Sequence, residues 1–122
     1  MTEIRDYCIN DGQTIKDAIN AIQGNLSRCV VVLNDNKKVI GIISEGDVLR
    51  ALLNDIEIHT PLKKIVNPSF QYLQERNMFK AYKLIRKCGI TLIPIVDEDF
   101  YLENVITMFD VMEHIDFING KE

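Results

Sequence analysis

Apolar and polar positions alternate along this chain in a pattern that is written twice. Ile15, Ala18, Ile19 and Ile22 recur at the spacing of one helix face. Thr14-Ile15-Lys16-Asp17 before them has the form of a capping box, and Gly24 beyond them is a helix stop. Val30-Val31-Val32-Leu33 predicts a short buried strand, Asn34-Asp35-Asn36-Lys37 a turn, and Val39-Ile40-Gly41-Ile42-Ile43 a second strand closing a hairpin. Ser44-Glu45-Gly46-Asp47 then opens a helix carrying Val48, Leu49, Leu52 and Leu53.

Moving 63 positions on, the same punctuation returns. Met78, Ala81, Tyr82 and Ile85 form a helical stripe, and Gly89 follows. Ile93-Pro94-Ile95-Val96 stands for the first strand, Asp97-Glu98-Asp99 for the turn and Leu102 to Ile106 for the second strand. Thr107-Met108-Phe109-Asp110 opens the last helix, with Val111, Met112 and Ile115 behind it. Leu62 to Pro68 between the repeats predicts a short helical turn ended by Asn67-Pro68. Phe70 and Tyr72 predict an extended leading strand, matched in the first repeat near Tyr7 and Ile9. The expectation is a mixed α/β (α+β) architecture of two units, residues 1–61 and 62–122. Each is helix–strand–strand–helix with a short leading strand, and neither buries its apolar face alone. They should pack sheet to sheet about a pseudo-twofold axis, leaving two equivalent clefts.

Length and composition change little. A chain of 122 residues, 47% hydrophobic and 26% charged, is an ordinary globular module that needs no disulfide staples. A net charge of −4 and no Trp argue against a nucleic-acid partner. No apolar run reaches membrane-spanning length, and Met1 to Asp6 carries no signal-peptide core, so the expectation is a soluble cytoplasmic protein. Cys8, Cys29 and Cys88 lack a C-x-x-C pair, and Cys29 reads as a small buried thiol. His59 and His114 have no ligand partner at metal spacing, so no metal is expected.

The repeated strand end resembles the cystathionine-β-synthase (CBS) domain. Gly41-Ile42-Ile43-Ser44-Glu45-Gly46-Asp47 carries that family's Gly-h-h-Ser/Thr-x-x-Asp motif in full. The second copy, Val105 to Asp110, matches except that Asn104 stands where Gly is usual. Ile93-Pro94-Ile95-Val96-Asp97 matches the family's h-Pro-h-h-Asp strand, while Val31 holds the proline position of the first repeat. Ser44 to Leu53, with Thr60-Pro61-Leu62 and Val66-Asn67-Pro68, is similar to CBS pairs attached to sugar-phosphate nucleotidyltransferases and isomerases. The polar ending Gly120-Lys121-Glu122 would suit a module cut from a longer chain.

What the resemblance implies is a regulatory module sensing AMP, ADP or ATP. Asp47 and Asp110 would bind a ribose diol; Ser44, Gly46, Thr107 and Arg28 would meet phosphate. Ile90, Thr91 and Pro94 would line one cleft and Ser27, Arg28 and Val31 the other. Each Asp also has a plainer role, as an acid favouring a helix N-terminus, and each hydroxyl a plainer role as its cap. Arg28 is the one cation expected to face a phosphate, and Glu45 beside it would repel one. No cofactor is required, the adenine nucleotide acting only as regulator. Partners implied are the nucleotide, a second copy, and an attached or partner sugar-nucleotide enzyme, with neither nucleic acid nor membrane. The second copy would dock through Val48, Leu49, Leu52, Leu53, Val111, Met112 and Ile115. The competing reading is a structural dimerisation module with vestigial clefts. Catalysis is not expected, because no nucleophile, phosphate-loop or zinc motif occurs.

The middle of the chain is basic, with Lys63, Lys64, Arg76, Lys80, Lys83, Arg86 and Lys87 against Glu75 alone. Lys80, Lys83 and Lys87 share the helix face opposite the apolar stripe, which reads as a solvated face. From Asp97 onward acids dominate, with only Lys121 opposing them.

Overall fold

The computed structural model describes residues 3–120; Lys121 and Glu122, part of the acidic run, lie outside them. Its first unit runs β1 (Cys8–Asn10), α1 (Ile15–Gln23), β2 (Cys29–Leu33), β3 (Val39–Ser44) and α2 (Glu45–Leu53). The second has α3 (Met78–Cys88), β4 (Leu92–Val96), β5 (Leu102–Thr107) and α4 (Met108–Ile118). Each strand pair is an antiparallel hairpin, and β1 adds in parallel to β2. The helices start where the sequence marks them. Thr14 with Asp17, Ser44 with Asp47 and Thr107 with Asp110 all close reciprocal capping boxes. Gly89 ends α3 at φ +67°, a left-handed position that favours glycine.

The strands alternate between two buried layers. Val30, Val32 and Ile43 face α1 and α2 in the core of the first unit, whereas Ile93, Ile95 and Ile106 face α3 and α4 in that of the second. The alternate residues Cys29, Val31, Leu92, Val96 and Val105 form a third cluster between the sheets. The repeats are therefore packed sheet to sheet. Their axis is marked by a backbone bridge between Lys38 and Tyr101, which are equivalent positions of the two hairpins. A residue touching its own counterpart is the signature of an isologous, twofold-related contact. Val39 N–H donates to the Phe100 carbonyl at 2.8 Å beside it.

Three features depart from the sequence reading. Phe70 and Tyr72 do not form a leading strand; among the described residues the second sheet has two strands, joined by one parallel bridge from Leu73 to Ile95. Leu73 N–H bonds to the Pro94 carbonyl and Val96 N–H to that of Leu73. Extending this ladder back to Gln71 would require an N–H at residue 94, which proline lacks. Val31, the equivalent residue of the first sheet, has that N–H and pairs with Cys8. The rings of Phe70, Tyr72 and Phe100 pack instead at steep angles, tilted by 51° and 64°, with centroids 5.6 and 5.0 Å apart.

Second, a short 3-10 turn, Ile4–Tyr7, precedes β1 in a stretch that carries no helical pattern. Third, the Leu62–Lys64 turn packs on the first unit, beyond the expected division at residue 61. Leu62 is fully buried in the core of that unit, and its N–H donates to the Gln13 carbonyl. Gly41 permits the crossing that follows: a Cβ there would lie 2.8 Å from the Asn67 carbonyl oxygen. Asn104, the equivalent position of the second unit, is exposed, so a side chain is tolerated there.

Candidate functional site

Two loops converge at one end of the axis. Asn25, only 5% exposed, organises the first. Its amide nitrogen lies 3.1 Å from the Cys29 carbonyl, 3.3 Å from that of Ala21 and 3.4 Å from that of Asp6. Its Oδ1 accepts the Arg28 N–H at 2.9 Å. This holds Arg28 at φ +56°, a left-handed conformation that costs a non-glycine residue on the order of 1 kcal/mol. The Arg28 carbonyl in turn accepts the Glu45 N–H at 3.0 Å, fastening the loop to the start of α2. The second loop, from Gly89 to Thr91, reaches over: Thr91 Oγ1 donates to the Ser27 carbonyl at 2.6 Å and lies 3.6 Å from Cys29 Sγ.

Between these loops, the first turn of α2 and the Asn67–Gln71 segment lies a cleft of about 660 Å³. That is within the range of small-molecule sites. Ser27, Arg28, Ser44, Gly46, Asp47, Ile90 and Thr91, all singled out from the sequence, line this one cleft. Loop residues expected in separate clefts thus contribute to one lining, because the two loops meet where Thr91 bonds to the Ser27 carbonyl. Val31 and Pro94 are not part of this lining: both are fully buried between the sheets, on the inward side of β2 and β4. Thr107 and Asp110 sit at the corresponding helix start of the second unit, away from this cleft.

The polar groups of the cleft are already engaged. Asp47 Oδ2 accepts from Ser44 N at 2.8 Å and Ser44 Oγ at 2.9 Å, while Oδ1 pairs with Arg50 Nη2 at 2.6 Å. Both the plain role of Asp47 as cap and its exposure to the cleft are therefore realised together. Arg50 is a cation that the sequence reading missed, because at one turn beyond Asp47 it reads as an ordinary solvated helix charge. Arg28 was not the only cation here. Arg28 pairs with Glu45 at 3.8 Å, which offsets the repulsion that Glu45 would exert on an anion. The Ser27 hydroxyl stands apart: at 2% exposure, it is the one buried side-chain polar atom without a partner among the described residues. Burial pushes the Cys29 thiol up to about 11, with the Asp47 charge adding to the shift and the Thr91 bond opposing it.

The second motif differs in charge. Thr107 N–H donates to Asp110 Oδ2 at 2.8 Å, reproducing the cap. At the positions equivalent to Gly46 and Arg50, however, stand Phe109 and Glu113. A bulky ring and an acid replace an open turn and a cation.

The outward faces of α2 and α4 remain apolar. Leu49, Leu52, Leu53, Met112 and Ile115 are exposed, joined by Phe109, Phe117 and Ile118. Val48 and Val111, expected on this surface, are instead buried in the cores of their own units. Among the described residues no helix is long and apolar enough to cross a membrane.

Comparison with known proteins gives these features a family. Residues 2–54 match the family described as CBS domain. The chain is 26% identical to a homoserine O-acetyltransferase from Methanobrevibacter ruminantium over 88% of its own length, but spans only 21% of that protein. Among solved structures, it is similar to the CBS domains of a transcriptional regulator from Streptococcus pneumoniae (TM-score 0.76, 22% identity, covering 92% of each chain). It is similar also to a CBS domain protein from Pyrobaculum aerophilum complexed with AMP (TM-score 0.73, 19% identity, covering 90% of each). Residues 2–54 thus match the CBS domain family, and the chain as a whole has the fold of solved CBS domains over 92% of its length.

Proposed function

We propose that this chain is a regulatory module that binds an adenine nucleotide in the cleft at the axis and modulates an attached or partner enzyme. The observation that carries the reading is the convergence of Ser27, Ser44, Gly46, Asp47 and Thr91 on one cleft, with the Ser27 hydroxyl buried there without a partner. In this reading Asp47 accepts the ribose diol, Gly46, Ser44 and Arg28 meet phosphate, and Ser27, Ile90 and Thr91 receive the base. The similar Pyrobaculum aerophilum protein is known complexed with AMP, which supports the ligand class. Asp110 and Thr107 would hold a weaker second site, since Glu113 beside them repels phosphate.

The apolar faces of α2 and α4 are the surface through which two copies would associate. A homoserine O-acetyltransferase contains a similar region as one-fifth of its length, consistent with a module carried by an enzyme. Titration calorimetry with AMP, ADP and ATP tests the reading. Saturable binding by the wild type, abolished in Asp47→Ala, is expected. No heat from any adenine nucleotide or nucleotide sugar would defeat it and leave dimerisation as the module's work.

A further inference from the structure

Arg50 and Asp47 present an economy that capping does not require. Asp47 Oδ2 alone closes the capping box, with bonds of 2.8 and 2.9 Å to Ser44. Oδ1 is left to Arg50 Nη2, at 2.6 Å. The guanidinium reaches it by folding back across the first turn of α2. A Cβ placed on Gly46 would lie 3.4 Å from Arg50 Nη1 and 3.8 Å from Nη2, so the group covers the face of Gly46 itself. Arg50 therefore lies on the atoms that the proposed ligand would use: the carboxylate oxygen still able to accept from a diol, and the open helix turn beneath a phosphate.

The geometry points to Arg50 as a displaceable latch on Asp47 that makes the cleft prefer phosphorylated nucleosides to bare ones. This deepens, and rests on, the nucleotide reading above. A nucleoside must compete with Arg50 for Oδ1 and offers the displaced cation nothing in return. A nucleotide offers it a phosphate, with which guanidinium forms charge-assisted and often bidentate bonds. The pair is well suited to exchange, because its side chains are 68% and 42% exposed and such surface pairs are held only weakly. The second unit has no counterpart, since Phe109 and Glu113 stand in place of Gly46 and Arg50.

The test compares AMP with adenosine on the whole chain by titration calorimetry, for wild type, Arg50→Ala and Arg50→Gln. The wild type should favour AMP. Both variants should bind AMP roughly tenfold more weakly, and adenosine at least as well as before, so the preference collapses. Thermal melting checks that the folds are intact, and Arg50→Gln preserves the stem should alanine disturb α2. If the wild type prefers AMP and both variants keep that preference, the latch is wrong while nucleotide binding stands. If the variants lose adenosine and AMP equally, Arg50 merely supports the helix and the latch is again wrong. If the wild type binds neither compound, the nucleotide reading fails and the latch with it.

Discussion

Replacing Asn25 by alanine should damage stability and ligand binding together, because this side chain fixes the loop that carries Ser27 and Arg28. The structure sets the magnitude. Alanine removes the bond that Oδ1 makes to the Arg28 N–H at 2.9 Å and the amide contact to the buried Cys29 carbonyl at 3.1 Å. Arg28 is exposed, so water can replace the first at a net loss of about 1 kcal/mol. The second leaves a buried acceptor weakened, for about 1–2 kcal/mol more. The contacts to Ala21 and Asp6, at 3.3 and 3.4 Å, are long and add little. The total is about 2–3 kcal/mol, or roughly 10 °C in melting temperature for a domain of this size. The chain has no Trp, so far-UV circular dichroism in a urea titration is the suitable assay. The Arg28 backbone, no longer held left-handed, should relax and weaken AMP binding. A stability change below about 0.5 kcal/mol, the level of an ordinary surface substitution, would refute this account of the loop.

Other expectations can be checked on the same protein. Gly41→Ala should cost about 1–3 kcal/mol, since its Cβ would meet Val66 Cγ2 and the Asn67 backbone, while Asn104→Ala should stay within about 0.5 kcal/mol; equal costs in urea unfolding would contradict the crossing as the reason for the glycine. Arg28→Gly should relieve the left-handed strain and leave melting equal or higher, yet weaken AMP binding; lower melting with unchanged binding would reverse the assignment. The Cys29 thiol is raised in the folded chain, so its contribution to stability is complete below the ordinary thiol range near 8.5 and is lost as pH rises towards about 11. The urea midpoint should therefore fall over that window more in the wild type than in Cys29→Ala, and parallel profiles would count against burial as the cause.

Much of this arrangement is written locally and was legible. Thr14, Ser44 and Thr107 announce helices because a capping box needs only residues three apart, and the offset of 63 between Ser44 and Thr107 exposes the repeat. What stayed hidden depends on residues distant in sequence. Thr91 bonding to the Ser27 carbonyl is what brings residues of both loops into one cleft, and no local pattern encodes it. Val31 and Pro94 look like pocket residues until alternation along β2 and β4 turns them inward. The missing strand at Phe70 and Tyr72 was concealed because alternation is a side-chain signal, whereas the ladder fails for want of a backbone donor at Pro94. Arg50 escaped notice for a related reason: a charge one turn after an acid is common on solvated helices, and only the bare face of Gly46 gives it a particular place.

The central claim is that the cleft between the Asn25–Cys29 and Gly89–Thr91 loops receives an adenine nucleotide. Its most direct test is an AMP titration of the isotopically labelled 122-residue chain, followed by the backbone amide resonances. Saturable shifts should gather at Ser27, Arg28, Gly46, Asp47 and Thr91 and leave the acidic turn at Asp97 to Asp99 unmoved. Shifts that fail to appear, or that appear away from that cleft, would contradict it.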